Sequence, residues 1–286
     1  MPLSRPPAPR RRRAPARPRW PLVAARGAAR GAARGAALVA ALGAGLLLPH
    51  AAASGVTLQV FAASSLTEAY EDLARGFEAR HPNVAVQLTF AGSQALRLQI
   101  EQGADADVFA SADERHMRAL VELGDVATSF VFARNELAVI VPLDDPAGIA
   151  TFADLPNAGS IVIGVESVPI GAYTRTLLEN ASAAYGAAFA EAVWQRVVSE
   201  ESNVRLVRAK VELGEADAAI VYLTDAAASD AVRTVAIPAE VNVASAYYLG
   251  RVERTPRTEA ADLFLDYVRS PAGRAALAAR GFVVDP

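Results

Sequence analysis

From Thr57 onward, short apolar runs rich in β-branched and aromatic residues alternate with longer segments carrying one apolar helical face. That alternation restricts the chain to an α/β fold. Residues 57–62 (TLQVFA) read as a strand. Leu66, Ala69, Tyr70, Leu73, Ala74 and Phe77 then recur at three- and four-residue spacing, one face of a helix. Residues 84–90 form a second strand, and a helix over 94–102 stops at Gly103. Residues 108–110 make a third strand, after which Asp113 caps a helix running to Leu123. Strand-helix-strand units of this size imply parallel sheets covered by helices on both faces.

The pattern then repeats in a second body. The apolar run 136–142 (ELAVIVP) and the loop 143–148 carry the chain across to it. Strands are expected at 160–164 and 218–222, with helices near 172–181 and 191–197. Residues 234–246, interrupted by Pro238, read as the return crossing. Helices over 257–268 and 271–280, the second ended by Gly281, pack on the first body. Two α/β lobes joined by two crossings place a ligand in the cleft between them.

The first 53 residues are of another kind. They hold ten of the chain's 28 basic residues, all Arg, and none of its 31 acidic ones. An Arg-rich stretch to Arg34, an apolar run over 36–48 and the small residues Ala51, Ala52 and Ala53 follow in order. That is the layout of a secretory signal cleaved after Ala53, and its apolar run is short for a permanent span. The expected product is a soluble, exported periplasmic protein. Without the signal, 18 basic residues face 31 acidic ones, a balance of −13 in place of −3. An acidic body gives no support to nucleic-acid binding. The chain has no Cys, which excludes disulfides, thiolate metal sites, a cysteine nucleophile and a Cys-linked lipid anchor.

Chemistry concentrates where strands hand over to helices. Four such turns stand out: Ala63-Ser64-Ser65-Leu66, Gly92-Ser93-Gln94, Val168-Pro169-Ile170-Gly171 and Ser202-Asn203-Val204-Arg205. Each presents free backbone N–H groups at a helix start. A single serine there is more often only a cap. Four helix starts facing one cleft are different, since each carries about half a positive charge and together they offset roughly two negative ones. None of the turns contains Lys, and Arg205, their one cation, is expected to face solvent.

Four runs carry a family likeness: FAASSLTEAY (61–70), FAGSQALRLQIEQGADADVFASAD (90–113), FARNELAVIVP (132–142) and GEADAAIVYLTDA (214–226). In order and spacing they resemble the molybdate-binding proteins of ABC importers, over essentially all of the chain after residue 53. The resemblance implies the two-lobe, type II periplasmic-binding-protein fold, each lobe a mainly parallel sheet flanked by helices. Residues 54–137 and 238–286 would form the first lobe and 138–237 the second. It further implies a monomer that binds molybdate or tungstate and delivers it to a membrane permease and its ATPase, with no cofactor and no catalysis. On the family pattern the oxyanion takes hydrogen bonds from the hydroxyls of Ser65, Ser93 and Tyr222 and from the backbone N–H groups of Ile170 and Val204. The metal is reached only through the anion's oxygens. Asp107 and Asp113 match acids with a structural role. One departure is the third turn, GVESVPIG (164–171), which is shorter and less acidic than usual and has Ile170 where a small residue is expected.

A donor-only site selects its ligand. Molybdate, tungstate and sulfate offer only acceptors, whereas phosphate near neutral pH carries a proton that needs one. Facing donors alone, that proton costs about 1–3 kcal/mol. The argument rejects phosphate but leaves sulfate as the alternative ligand. An enzyme is the rival class. It requires a His beside a cleft serine, yet His81 and His116 read as surface residues without a second metal ligand nearby, and Trp194 reads as core. Tyr222 ends a strand, where a Tyr is more often a packed residue.

Overall fold

The computed structural model describes residues 55–284. The proposed export segment 1–53 and its cleavage point lie outside them.

Strand β1 (Val56–Ala63) passes through a 3₁₀ turn (Ser64–Leu66) into α1 (Thr67–Glu78). β2 (Val84–Ala91), α2 (Ser93–Glu101), β3 (Val108–Ser111) and α3 (Glu114–Leu123) follow. β4 (Val126–Asn135) and β5 (Leu137–Pro142) are separated by one residue. After β6 (Ile161–Gly164) come α4 (Pro169–Tyr185), α5 (Ala187–Gln195), β7 (Val197–Glu201) and α6 (Val204–Glu212). The chain continues through β8 (Ala218–Tyr222), α7 (Leu223–Ala227), β9 (Val232–Val235) and β10 (Ser245–Val252), and ends with α8 (Thr258–Arg269) and α9 (Pro271–Ala279).

The strands form two five-stranded sheets, ordered β2-β1-β3-β10-β4 and β7-β6-β8-β5-β9. In the first, β2, β1 and β3 run parallel, while β10 is antiparallel to both its neighbours. The second repeats the pattern with β5 as the reversed strand. Four strands of five therefore point one way in each sheet. Successive residues of β1 serve opposite faces: Leu58 and Val60 join the large core with Leu73 and Phe77 of α1, whereas Phe61 packs with Leu96, Ile100 and Met117 of α2 and α3.

The chain leaves the first sheet at Glu136 and re-enters it at Ser245. Asn242 binds these two segments together: Leu137 N–H donates to its Oδ1 at 3.1 Å, and its Nδ2 donates to Leu137 O at 3.0 Å.

Several elements differ from the sequence expectation. Strands β4, β7 and β9 are sheet edges, where one strand face and one row of backbone groups lack a neighbour, so the apolar signal is diluted. Residue 197 belongs to β7, not to the preceding helix, which occupies Ala187–Gln195. α4 begins at Pro169, whose missing N–H costs nothing in the first turn. Trp194 is 36% exposed rather than core, with the Arg175 guanidinium 5.4 Å from its ring centre.

Candidate functional site

The four turns converge. Ser65, Ser93, Ile170, Val204 and Tyr222, the five residues singled out from sequence, line one small cavity together with Ala63, Ser64, Gly92, Ala112, Val168 and Pro169. Its volume is ≈ 10 Å³, about the room of one water. Larger hollows of ≈ 640 and ≈ 360 Å³ are also present, but both are lined by charged side chains and neither brings the four turns together. No charged side chain lines the small cavity.

Each turn supplies donors for a local reason. Gly92 is the N-cap of α2, its carbonyl accepting from Ala95 and Leu96, which leaves the N–H groups of Ser93 and Gln94 without intrahelical acceptors. Val168 caps α4 by accepting from Ala172, so the N–H groups of Ile170 and Gly171 are free of the helix ladder. Asn203 caps α6: Leu206 N–H donates to its Oδ1 at 3.1 Å and Val207 N–H to its carbonyl, freeing Val204 N–H. The first turn is a single 3₁₀ turn running directly into α1.

Ile170 lines the cavity and is itself fully buried. Its Cγ2 packs against Gly164, where an added Cβ would lie 2.8 Å away. Gly171 is pressed against the strand end, and a Cβ there would lie 2.0 Å from Val165 O and 2.4 Å from Gly164 O. Gly92 does the same across the cleft, 2.6 Å from Ser202 O.

The serines are polarised from behind. Tyr247 Oη donates to Ser65 Oγ at 3.1 Å, and Ala112 N–H donates to Ser93 Oγ at 3.1 Å. With a lone pair of each oxygen occupied, each hydroxyl proton is available to the cavity. Tyr222 is 1% exposed and its hydroxyl has no partner among the described residues; burial pushes its pKa well above the ordinary tyrosine value, so it too stays a donor. The structure thus brings the five residues singled out from sequence to one cavity. Tyr247 and the Ala112 N–H were not anticipated. Tyr247 lies 182 residues from Ser65, and no local pattern marks so distant a contact.

Two expectations are corrected. Arg205 does not face solvent. It reaches from α6 to the first lobe, donating through Nη1 to Glu68 Oε1 at 2.6 Å and through Nε to Ser64 O at 3.1 Å, while Asp225 Oδ1 lies 3.2 Å from Nε. Burial alone would raise the Glu68 pKa, but Arg205 holds it below the usual value. Burial pushes the Asp225 carboxyl up to about 6 despite Arg205 and Arg208. His116 is 4% exposed, and its Nε2–H donates to Ser167 O at 2.8 Å. Burial lowers its pKa, with Asp113 opposing. Its partner is a carbonyl outside the cavity, not a cleft hydroxyl, and His81 stacks on Phe77 at 4.5 Å. Neither histidine lines the cavity.

Asp107 and Asp113 act within the scaffold. Asp107, fully buried, accepts from Gln59 N–H at 2.6 Å and Arg257 Nε at 2.7 Å, while Asp113 accepts from His116 N–H at 3.0 Å as the cap of α3. Among the described residues no cluster of potential metal ligands occurs, and no helix is long and apolar enough to cross a membrane.

Two mixed sheets of matching order, joined by two crossings over a cavity of helix starts, define a two-lobed solute-binding protein. Residues 58–283 match the family model for bacterial extracellular solute-binding proteins. The chain belongs to that family, a class of binding and transport components. The molybdate-binding protein ModA of Mycobacterium tuberculosis is 36% identical over 229 residues, covering 79% of this chain and 84% of its own. Two solved structures share the fold. The periplasmic molybdate-binding protein of Azotobacter vinelandii aligns with a TM-score of 0.69 at 23% identity, over 80% of this chain and all of that one. The sulfate-binding protein SubI of M. tuberculosis aligns with a TM-score of 0.72 at 17% identity, over 81% and 88% of the two chains.

Proposed function

We propose that this protein binds molybdate, and tungstate with it, in the cavity formed by Ser65, Ser93, Ile170, Val204 and Tyr222, and delivers the anion to an ABC permease and its ATPase. The observation that carries the reading is the donor set: two serines each already accepting a hydrogen bond from behind, an unpartnered buried Tyr222 hydroxyl and free N–H groups of three helix starts. Such a set matches an anion whose oxygens only accept. Helix-end partial charges supply the field that cationic side chains supply elsewhere. The similarity to a curated molybdate-binding protein points to the same ligand.

A cavity with room for one water is smaller than a five-atom anion needs. Uptake therefore requires the lobes, residues 54–137 with 238–286 and residues 138–237, to part at the two crossings and close again, a hinge motion. The protein acts in the periplasm as a monomer after loss of residues 1–53.

Calorimetric titration of the exported form with molybdate, tungstate, sulfate and phosphate tests the reading. Molybdate and tungstate bind, and phosphate binds far more weakly. Sulfate binding as tight as molybdate binding would overturn the specificity, and no response to any of the four would overturn the function.

A further inference from the structure

We propose that Tyr247 is a specificity-determining positioning residue: by donating to Ser65 Oγ from behind, it occupies one of that oxygen's two lone pairs and favours presentation of the Ser65 proton to the bound anion. The inference rests on the oxyanion-binding reading above and extends it to a residue outside the cavity lining.

The direction of the Tyr247–Ser65 bond follows from what surrounds it. Tyr247 is fully buried, and its hydroxyl makes one hydrogen bond, to Ser65 Oγ at 3.1 Å. The other polar side chain beside it is Asn135, whose Oδ1 already accepts from Glu136 N–H at 2.9 Å and whose Nδ2 donates to Thr224 Oγ1 at 2.8 Å. If Ser65 donated to Tyr247 instead, the tyrosine proton would be buried without an acceptor, the costly arrangement. Burial pushes the Tyr247 pKa well above the ordinary value, with Ser65 and Asn135 only partly opposing it, so the hydroxyl keeps its proton.

The aim of the hydroxyl is fixed as well. Its ring packs against Tyr222, Phe132 and Phe282 with centroids 5.7, 6.3 and 5.3 Å away. Ser93 is held the same way by Ala112 N–H, a group that can only donate. That backbone donor is beyond the reach of side-chain substitution; the Tyr247 hydroxyl is not. With one lone pair of each serine taken from behind and its proton favoured toward the cavity, a protonated anion such as hydrogen phosphate finds an acceptor there only by turning a serine proton away. Without the Tyr247 proton, Ser65 is free to rotate and offer its lone pair.

Tyr247→Phe removes the hydroxyl and keeps the ring. Competition calorimetry at pH 7.5 reads the dissociation constants of molybdate, phosphate and sulfate for the wild type and the variant. The phosphate-to-molybdate ratio of dissociation constants is expected to shrink by about tenfold. The sulfate-to-molybdate ratio is expected to hold, because sulfate has no proton to place. In a Ser65→Ala background the Tyr247→Phe change leaves the phosphate ratio where Ser65→Ala alone put it. An unchanged phosphate ratio in folded Tyr247→Phe overturns the proposal. So does an equal shift for sulfate, which would report general distortion, or a full shift persisting without Ser65. Tyr247→Met, also hydroxyl-free but with a flexible side chain, is measured alongside and serves if the Phe variant does not fold. A wild type that binds none of the anions overturns the oxyanion reading itself, an outcome distinct from a wild type that binds them with a selectivity indifferent to Tyr247.

Discussion

At the scale of single residues, two buried groups with opposite tasks sit a few residues apart in the chain. Tyr222 is a neutral donor facing the cavity; Asp225, 1% exposed, is an acid held against Arg205 at 3.2 Å. Among the described residues neither oxygen of Asp225 has a hydrogen-bond partner, so the carboxylate form is poorly solvated, and burial raises its pKa to about 6 from 3.8. An acid with a raised folded-state pKa holds more protons folded than unfolded across that interval. Its contribution to stability is therefore present below about pH 4 and is lost as pH rises through about 6. Arg205 and Arg208 face it with one sign, Glu68 and Glu212 with the other. Asp225→Asn keeps the shape and removes the titration. In urea unfolding between pH 4 and 7, the wild type should lose stability relative to Asp225→Asn by up to about 1.4 kcal/mol per pH unit across that window. Parallel pH profiles would show that Asp225 titrates as it does in the unfolded chain.

At the scale of elements, what the sequence made legible was the interior, and what it hid was the edges and the far side of each contact. β3, β6 and β8 are buried at every position and β1 over its second half, and their positions follow from composition alone. β7, with alternating half-buried and exposed residues, carries too little apolar content to be told from the end of a helix. Ser65, Ser93, Ile170 and Val204 were legible because each sits at a strand-to-helix turn, a local signal reinforced by the family likeness, whereas Tyr222, at a strand end where packing is the commoner role, came from the likeness alone. Tyr247, Ala112 and the inward turn of Arg205 are set by pairing across the sheet and the cleft, which no local window contains. Two glycines show the same division. Gly171 meets the backbone of its own lobe, at Val165 O and Gly164 O. Gly171→Ala should therefore lower unfolding stability by about 1–3 kcal/mol or more, because packed backbone cannot yield. Gly92 meets Ser202 O of the opposite lobe and the flexible Gln94 side chain, and its φ of −64° suits alanine. Gly92→Ala should keep the melting temperature of the unliganded protein and weaken molybdate binding instead, since the methyl group obstructs closure alone. A variant that melts early but binds normally would reverse the assignment.

At the scale of the whole molecule, closure is a matter of what the two lobes hold between them. Among the described residues, several side chains reach from one lobe to the other. Arg205 reaches Glu68 and Ser64 O; Gln94 Nε2 donates to Ser202 O at 2.8 Å; Arg115 Nη2 and His116 Nε2 donate to Ser167 O at 2.9 and 2.8 Å. Of these the Arg205–Glu68 pair joins two full charges through both carboxylate oxygens, the geometry that gives an ion pair orientation as well as attraction. Exposed pairs contribute about 0–1 kcal/mol, but Arg205 and Glu68 side chains retain only 21% and 30% of their exposure. In the proposed hinge motion their attraction exists only when the lobes meet, so it contributes to the closed state and not to the open one, and a ligand that needs closure inherits the difference. Removing Arg205 would confuse the test by leaving Asp225 buried without its partner. Glu68→Gln removes the cross-cleft charge and keeps the Arg205–Asp225 contact. It should weaken molybdate binding by about threefold to tenfold, the equivalent of roughly 0.7–1.4 kcal/mol, and the loss should appear in the dissociation rate because the pair forms after encounter. Raising the salt concentration should narrow the gap between wild type and Glu68→Gln, since screening weakens the pair in one protein and has no pair to weaken in the other. Stopped-flow binding at two ionic strengths measures both. An unchanged dissociation rate would mean that the lobes close on the anion without help from the charges between them.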